Sequence, residues 1–172
     1  MSDYSKAVYV VEEVAAVVQK VAAKLATNVF YFFGHIKEVT ARLQEIANST
    51  TNKGTDYPCV ILFTDIPIRQ NQPQGTYGTA NLNLIIANYT KESYTAQQRL
   101  DNIFKPILYP IKREFMKQFE LHHQFQFPGE LSYTEIDRYF YGSQLNNQNV
   151  FNDRIDCIEI QNLQVIIKNK PC

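Results

Sequence analysis

Thr79-Ala80-Asn81-Leu82-Asn83-Leu84-Ile85-Ile86-Ala87-Asn88-Tyr89 is the clearest strand signal in the chain. Ala80, Leu82, Leu84 and Ile86 alternate with Thr79, Asn81 and Asn83, and a period of two places the two sets on opposite faces of a strand. One face belongs to a core. The other is polar and a candidate for contact with a partner through Thr79, Asn81 and Asn83. Just before it, Pro67 to Gly78 carries three Gln, two Pro and two Gly, with Arg69 its only charge. That composition predicts a long exposed loop or hairpin tip. Earlier still, Pro58 to Ile66 reads as a strand with Cys59, Ile61 and Phe63 on one face and Val60, Leu62 and Ile66 nearby on the other. Such a strand suits the middle of a covered sheet. Two strands joined by this loop make an arm reaching beyond the domain, with Arg69, Gln70, Gln72 and Tyr77 as its candidate contact residues.

Helical patterns flank this pair. Ala7, Val11, Val14, Val18, Val21 and Leu25 recur at spacings of four and three, predicting a helix over 7–25 that lies on the sheet. Val8, Val10 and Val17 fall outside that stripe, which makes Val8 and Val17 in particular candidate interface residues. Val29 to Gly34 reads as a short strand and His35 to Asn48 as a second helix, with Ile36, Val39, Leu43 and Ile46 on one face. Thr95 to Phe119 is the strongest helical signal, with Thr95 placed to cap its start. Pro106 and Pro110 lie within it, and each costs about 3 kcal/mol in a regular helix interior. A kink or restart is expected there, with a proline in a first turn. Phe125 to Phe127, Ile136 to Tyr141 and Ile155 to Ile167 supply further strands. In the last, the apolar positions change parity between Ile160 and Leu163, as a bulge would require. The expected fold is one α+β domain over 1–172: a mostly antiparallel sheet packed against two or three helices, with a long protruding loop or hairpin.

Composition narrows the function. The 172 residues suffice for a core without a metal or disulfide staple. Lys+Arg and Asp+Glu are both 17, so there is no basic excess of the kind that marks a nucleic-acid grip. Cys59, Cys157 and Cys172 form no C-x-x-C pair, and the first two lie in apolar runs, which predicts buried free thiols from a reducing compartment. The first helix is broken by Glu12, Glu13, Gln19, Lys20 and Lys24, so neither a leader nor a membrane span is expected. Eleven Tyr and eleven Phe suit either an aromatic core or subunit interfaces.

Chemistry has little to stand on. His122-His123 lacks partners at metal-ligand spacing and reads as solvated, and His35 reads as a surface residue at a helix start. No phosphate-binding glycine motif is present, and Gly75 and Gly78 read as turn residues. Asp137-Arg138 and Asp153-Arg154, with Asp156 close by, read as ion pairs. Lys105, Lys112, Arg113 and Lys117 put positive charge on one helix, interrupted by Asp101 and Glu114, and read as a solvated face. No catalytic residue, cofactor or metal is assigned.

Four segments carry a resemblance: Tyr57-Pro58-Cys59-Val60-Ile61-Leu62-Phe63, Phe104-Lys105-Pro106-Ile107-Leu108-Tyr109-Pro110-Ile111, Ile136-Asp137-Arg138-Tyr139-Phe140-Tyr141-Gly142 and Phe151-Asn152-Asp153-Arg154-Ile155-Asp156-Cys157-Ile158-Glu159-Ile160. They resemble a family of structural proteins from phages and prophages of gut bacteria, including crAss-like phages. The order of elements is similar to that of tail-terminator and head–tail connector proteins. The resemblance implies a non-enzymatic virion protein, made in the host cytoplasm, that forms a hexameric or dodecameric ring. Its implied partners are itself and the portal, neck or tail proteins, with DNA only passing through a channel and no membrane. It carries over no functional residue, because such proteins act through surfaces. A cytoplasmic adaptor or assembly chaperone with one protein partner is the alternative. A small enzyme using Asp137, Asp153 or His122 is a third reading from a different class.

Overall fold

The computed structural model describes residues 9–39, 41–42, 55–69, 76–91, 93–127, 131–139 and 155–168. The alternating stretch Thr79 to Tyr89 lies at the centre of the sheet. β4 (Thr76–Tyr89) is flanked on one side by β2 (Cys59–Phe63) and β3 (Ile68–Arg69), and on the other by β7 (Ile155–Lys168). β1 (Phe30–Gly34) lies outside β2, while β5 (Phe125–Gln126) and β6 (Tyr133–Tyr139) both pair with β7. The α+β expectation holds, but the sheet is mixed. β1 runs parallel to β2, whereas the other pairings are antiparallel. A parallel neighbour needs a crossover longer than a hairpin. Residues 36–39 and 41–42 within that connection are helical and His35 precedes them; positions 40 and 43–48 of the expected second helix lie outside the described residues.

β4 begins earlier than its alternation suggested, and this corrects the long loop. Ile68 pairs with Ala80 and Arg69 with Thr79, so both ends of 67–78 belong to a hairpin's strands. Gly78 is likewise within β4, not in a turn. The middle of the proposed arm, including Gln70 and Gln72, lies outside the described residues.

The helices over 10–25 and 96–120 pack on one face of the sheet, while Val39, from the short helical stretch after β1, packs on the other. α1 (Val10–Leu25) buries Val10, Val14, Val17, Val18 and Val21. Glu12 and Glu13 in its first turn and Lys24 in its last complement the helix dipole. α2 (Ala96–Arg99) opens with a capping box, in which Thr95 Oγ1 accepts from Gln98 N–H while Gln98 Oε1 accepts from Thr95 N–H. It runs directly into a π-helical segment, Leu100–Leu108, and then α3 (Tyr109–Glu120). The prolines explain the change of pitch. Pro106 has no N–H to give and would crowd the carbonyl four residues back, so the wider turn relieves an α-helical conflict. Tyr109 N–H reaches back five residues to Phe104 O, after which α3 restarts with Pro110 in its first turn. Ile103, Phe104, Leu108, Ile111, Phe115 and Phe119 face the sheet. Phe119 stacks on Phe125 of β5 at 4.7 Å between ring centroids, so a good share of the phenylalanines is spent on the core.

The parity change in β7 is a bulge. Leu82 pairs with Leu163 and Leu84 with Ile160, leaving Gln161 and Asn162 together opposite Asn83. Asn162 takes the left-handed conformation (φ 54°), which asparagine tolerates better than most side chains, and its N–H donates to Asn83 Oδ1 at 2.8 Å.

Candidate interaction surface

The sheet face turned away from α1 and α3 has two halves. Near the β4 end at Ile85 and Ala87 it is apolar and sealed. Phe30, Cys59, Ala87, Cys157 and Ile136 follow one another across five strands, and Val39 packs on the same cluster. Burial pushes the Cys59 and Cys157 thiols well above the usual range, and both are free cysteines. A thiol that resists ionisation is a poor nucleophile.

The other half is polar. Arg69 sits opposite Thr79, Thr79 opposite Ile166, and Ile166 opposite Gln126, forming one row over β3, β4, β7 and β5. Asn81 faces Gln164 in the next row, and Asn83 faces the bulge. Side chains directly opposite one another share a face, so strand register collects Arg69, Thr79, Asn81 and Asn83 into one patch. Asn83 is already committed in part, since it accepts the bulge N–H. Tyr77 lies in β4, but its side chain is outside the description; Val8 lies outside it altogether. Val17 is corrected. It is fully buried, with Val10 nearly so, because the sheet and α3 both cover α1 and widen the apolar stripe. Burying a valine contributes about 1.5–3 kcal/mol to the fold and leaves nothing to offer a partner.

Between the halves, beyond the ends of β1 and β2, lies a cleft of about 370 Å3. Asp65, Glu159, Asn83, Gln161 and Asn162 line it, and His35 Nε2 stands 4.0 Å from Asp65 Oδ2. Gly34 shapes its wall. With φ at 152°, a Cβ there would stand 3.0 Å from Glu38 Oε2, the atom that accepts His35 N–H. Among the described residues no three His, Cys, Asp or Glu side chains gather as metal ligands.

The helical layer presents a different surface. Lys105, Lys112, Arg113 and Lys117 line a groove of about 710 Å3 with Tyr109, Met116, Glu120 and Leu131. Lys105 pairs with Asp101 at 2.7 Å, and the Gln97 and Lys105 bonds hold the Asp101 carboxyl below its ordinary range. Lys112 Nζ lies 3.6 Å from the centre of the Tyr133 ring, a close cation–π contact. Tyr109 donates to Glu135 Oε2 at 2.8 Å, and burial, then that carboxylate, pushes its hydroxyl up. The cations are exposed or half-exposed, as expected for a solvated face, but the helix and Leu131 arrange them around a concavity.

Other polar candidates have structural roles. His122 is corrected from solvated to buried at 2% exposure. It follows the end of α3, stacks near Phe125, and places Nε2 3.3 Å from Glu13 Oε2 on α1. His123 is exposed, and so is His35. Asp156 pairs with Arg99 at 2.9 Å, with side chains 0% and 1% exposed. Asp153 and Arg154 lie outside the described residues, as do the side chains of Asp137 and Arg138. No described helix is long and apolar enough to cross a membrane. No protein-family model matches the chain, and no curated protein matches it either.

Proposed function

We propose that this chain is a non-enzymatic virion protein that assembles into a ring at the head–tail junction of a phage, as a connector or tail terminator. The observation that carries the reading is the polar patch of Arg69, Thr79, Asn81 and Asn83 on the open sheet face, opposite the helical layer. A ring needs two different surfaces on each copy, one to meet the other. The outer side of the α1–α3 layer and the polar half of the opposite sheet face provide such a pair. The segment resemblance to phage structural proteins supplies the setting. Imaging of purified particles tests it: a symmetric ring of this chain at the neck is the expected result. Absence of the chain from purified particles would overturn the reading and favour an adaptor or assembly chaperone.

A further inference from the structure

The two faces also differ in charge. The α3 groove carries Lys105, Lys112, Arg113 and Lys117 against the single carboxylate of Glu120. On the opposite side of the sheet, the cleft beyond β1 and β2 carries Asp65 and Glu159 among amides, with His35 its one basic ring. Asp65 projects strongly, its side chain 87% exposed. The chain as a whole has formal net charge zero, so charge is separated between faces and not in excess.

We infer that the α3 groove of one copy receives the acid-rich cleft rim of a second copy, with Arg113 and Lys117 meeting Asp65 and Glu159. The inference rests on the self-assembly reading above and adds which surfaces meet. Groove and cleft lie on opposite sides of the sheet, so the contact is head-to-tail, the arrangement that closes into rings when the rotation allows. Such exposed ion pairs select partner and register more than they add affinity. A second copy fits the groove better than a nucleic acid does. Lys105 is held by Asp101 and Lys112 lies over Tyr133. Met116, Pro110 and Leu131 give the groove an apolar lining. A phosphate track uses a run of cations on a polar surface.

Charge reversal tests the pairing in the full chain. Sedimentation at the highest attainable concentration, in low and high salt, reads association. Arg113→Glu with Lys117→Glu, or Asp65→Lys with Glu159→Lys, should each weaken association at least tenfold. Combining all four changes in one chain should restore it, and so should mixing the two one-sided variants, since each groove then meets a cleft of opposite sign. If a reversed variant fails to melt cooperatively, Arg113→Gln with Lys117→Gln and Glu159→Gln replace it, and the salt dependence of association should shrink. A wild-type chain that stays monomeric throughout, or reversals without effect or without restoration, overturns the inference. Binding of a duplex oligonucleotide that Arg113→Glu with Lys117→Glu abolishes would also overturn it, in favour of nucleic acid. Charge-swapped association together with absence from purified particles would uphold this contact and remove the virion reading.

Discussion

Replacing Asp156 by alanine should be among the most damaging single changes on the polar side of this fold. Arg99 ends α2, and its guanidinium donates from Nη1 to Asp156 Oδ1 at 2.9 Å and to Thr90 Oγ1 at 2.8 Å. Its Nη2 donates to Lys91 O at 2.9 Å. One side chain thus ties the start of the long helix to the end of β4 and the start of β7. Because Arg99 and Asp156 are 1% and 0% exposed, solvent screening gives no discount. Asp156→Ala leaves a buried cation without its carboxylate, a loss of about 3–5 kcal/mol. In a chain of this length that lowers Tm by roughly 6–20 °C. Arg99→Met should cost a similar amount. The double variant Arg99→Met with Asp156→Leu removes both charges and should cost less than either single change, a coupling that distant sites do not show. Urea denaturation measures all three, with an unchanged m-value marking intact two-state behaviour. A single-variant cost below about 1 kcal/mol, the range of exposed pairs, would refute the reasoning. Strict additivity in the double variant would refute it as well.

Three further predictions follow from particular sites. Cys59 and Cys157 should label slowly in the native protein and fully after denaturation, because burial both hides the thiols and suppresses the thiolate; rapid native labelling of either would contradict its place in the sheet. Burial lowers the His122 pKa below 6.5, outweighing the upward pull of Glu13, while Lys20 and His123 add to the lowering. The unfolded chain therefore takes up the proton first, so this group's contribution to stability is complete above about pH 6.5 and declines as pH falls toward the folded value. Melting curves for wild type and His122→Phe between mildly acid and neutral pH check this, and identical pH profiles would exclude His122 as the cause. At the bulge, Asn162→Val should cost about 1–2 kcal/mol because a β-branched residue resists the left-handed conformation. Asn162→Gly should be nearly neutral by the same urea assay, and equal costs would mean that backbone conformation is not the reason.

The features legible in the sequence were those with local cause. Alternation in β4 separated core from polar face before any neighbour was known. The parity break between Ile160 and Leu163 marked the bulge, and Pro106 and Pro110 marked the change of helical pitch. Strand order and direction depend on partners far along the chain, so the parallel β1–β2 pairing carried no comparable mark. Distance in sequence hid the Arg99–Asp156 pair too, because the two residues lie 57 apart. The buried histidine is concealed by its loop: with α3 ending at Glu120, the chain turns His122 inward onto Phe125, which a solvated reading of His122-His123 does not anticipate. Val17 falls outside the single stripe that the spacing marks, yet sheet and α3 cover α1 together and bury it. Of the surface candidates, Thr79, Asn81 and Asn83 were visible as one side of a strand. Arg69 is a candidate of the neighbouring loop, and only register sets it, with Gln126 and Gln164, beside them.

The extra residue in β7 makes that strand two strands spliced out of phase. Upstream of the splice, Cys157 points toward the sealed half of the open face, and downstream Gln164 points toward the wet half. Deleting Gln161 or Asn162 would do more than shorten the chain by one residue. It would leave one residue opposite Asn83 and make the ladder regular, keeping Leu163, Val165 and Ile167 on the core face while removing the local bend that the bulge puts between the two halves. The same splice lets the two halves vary separately: a substitution at Gln164 or Gln126 alters the wet surface without reaching the packing around Ala87. A protein of this build can acquire a new neighbour at one end of its sheet while the other end keeps the fold.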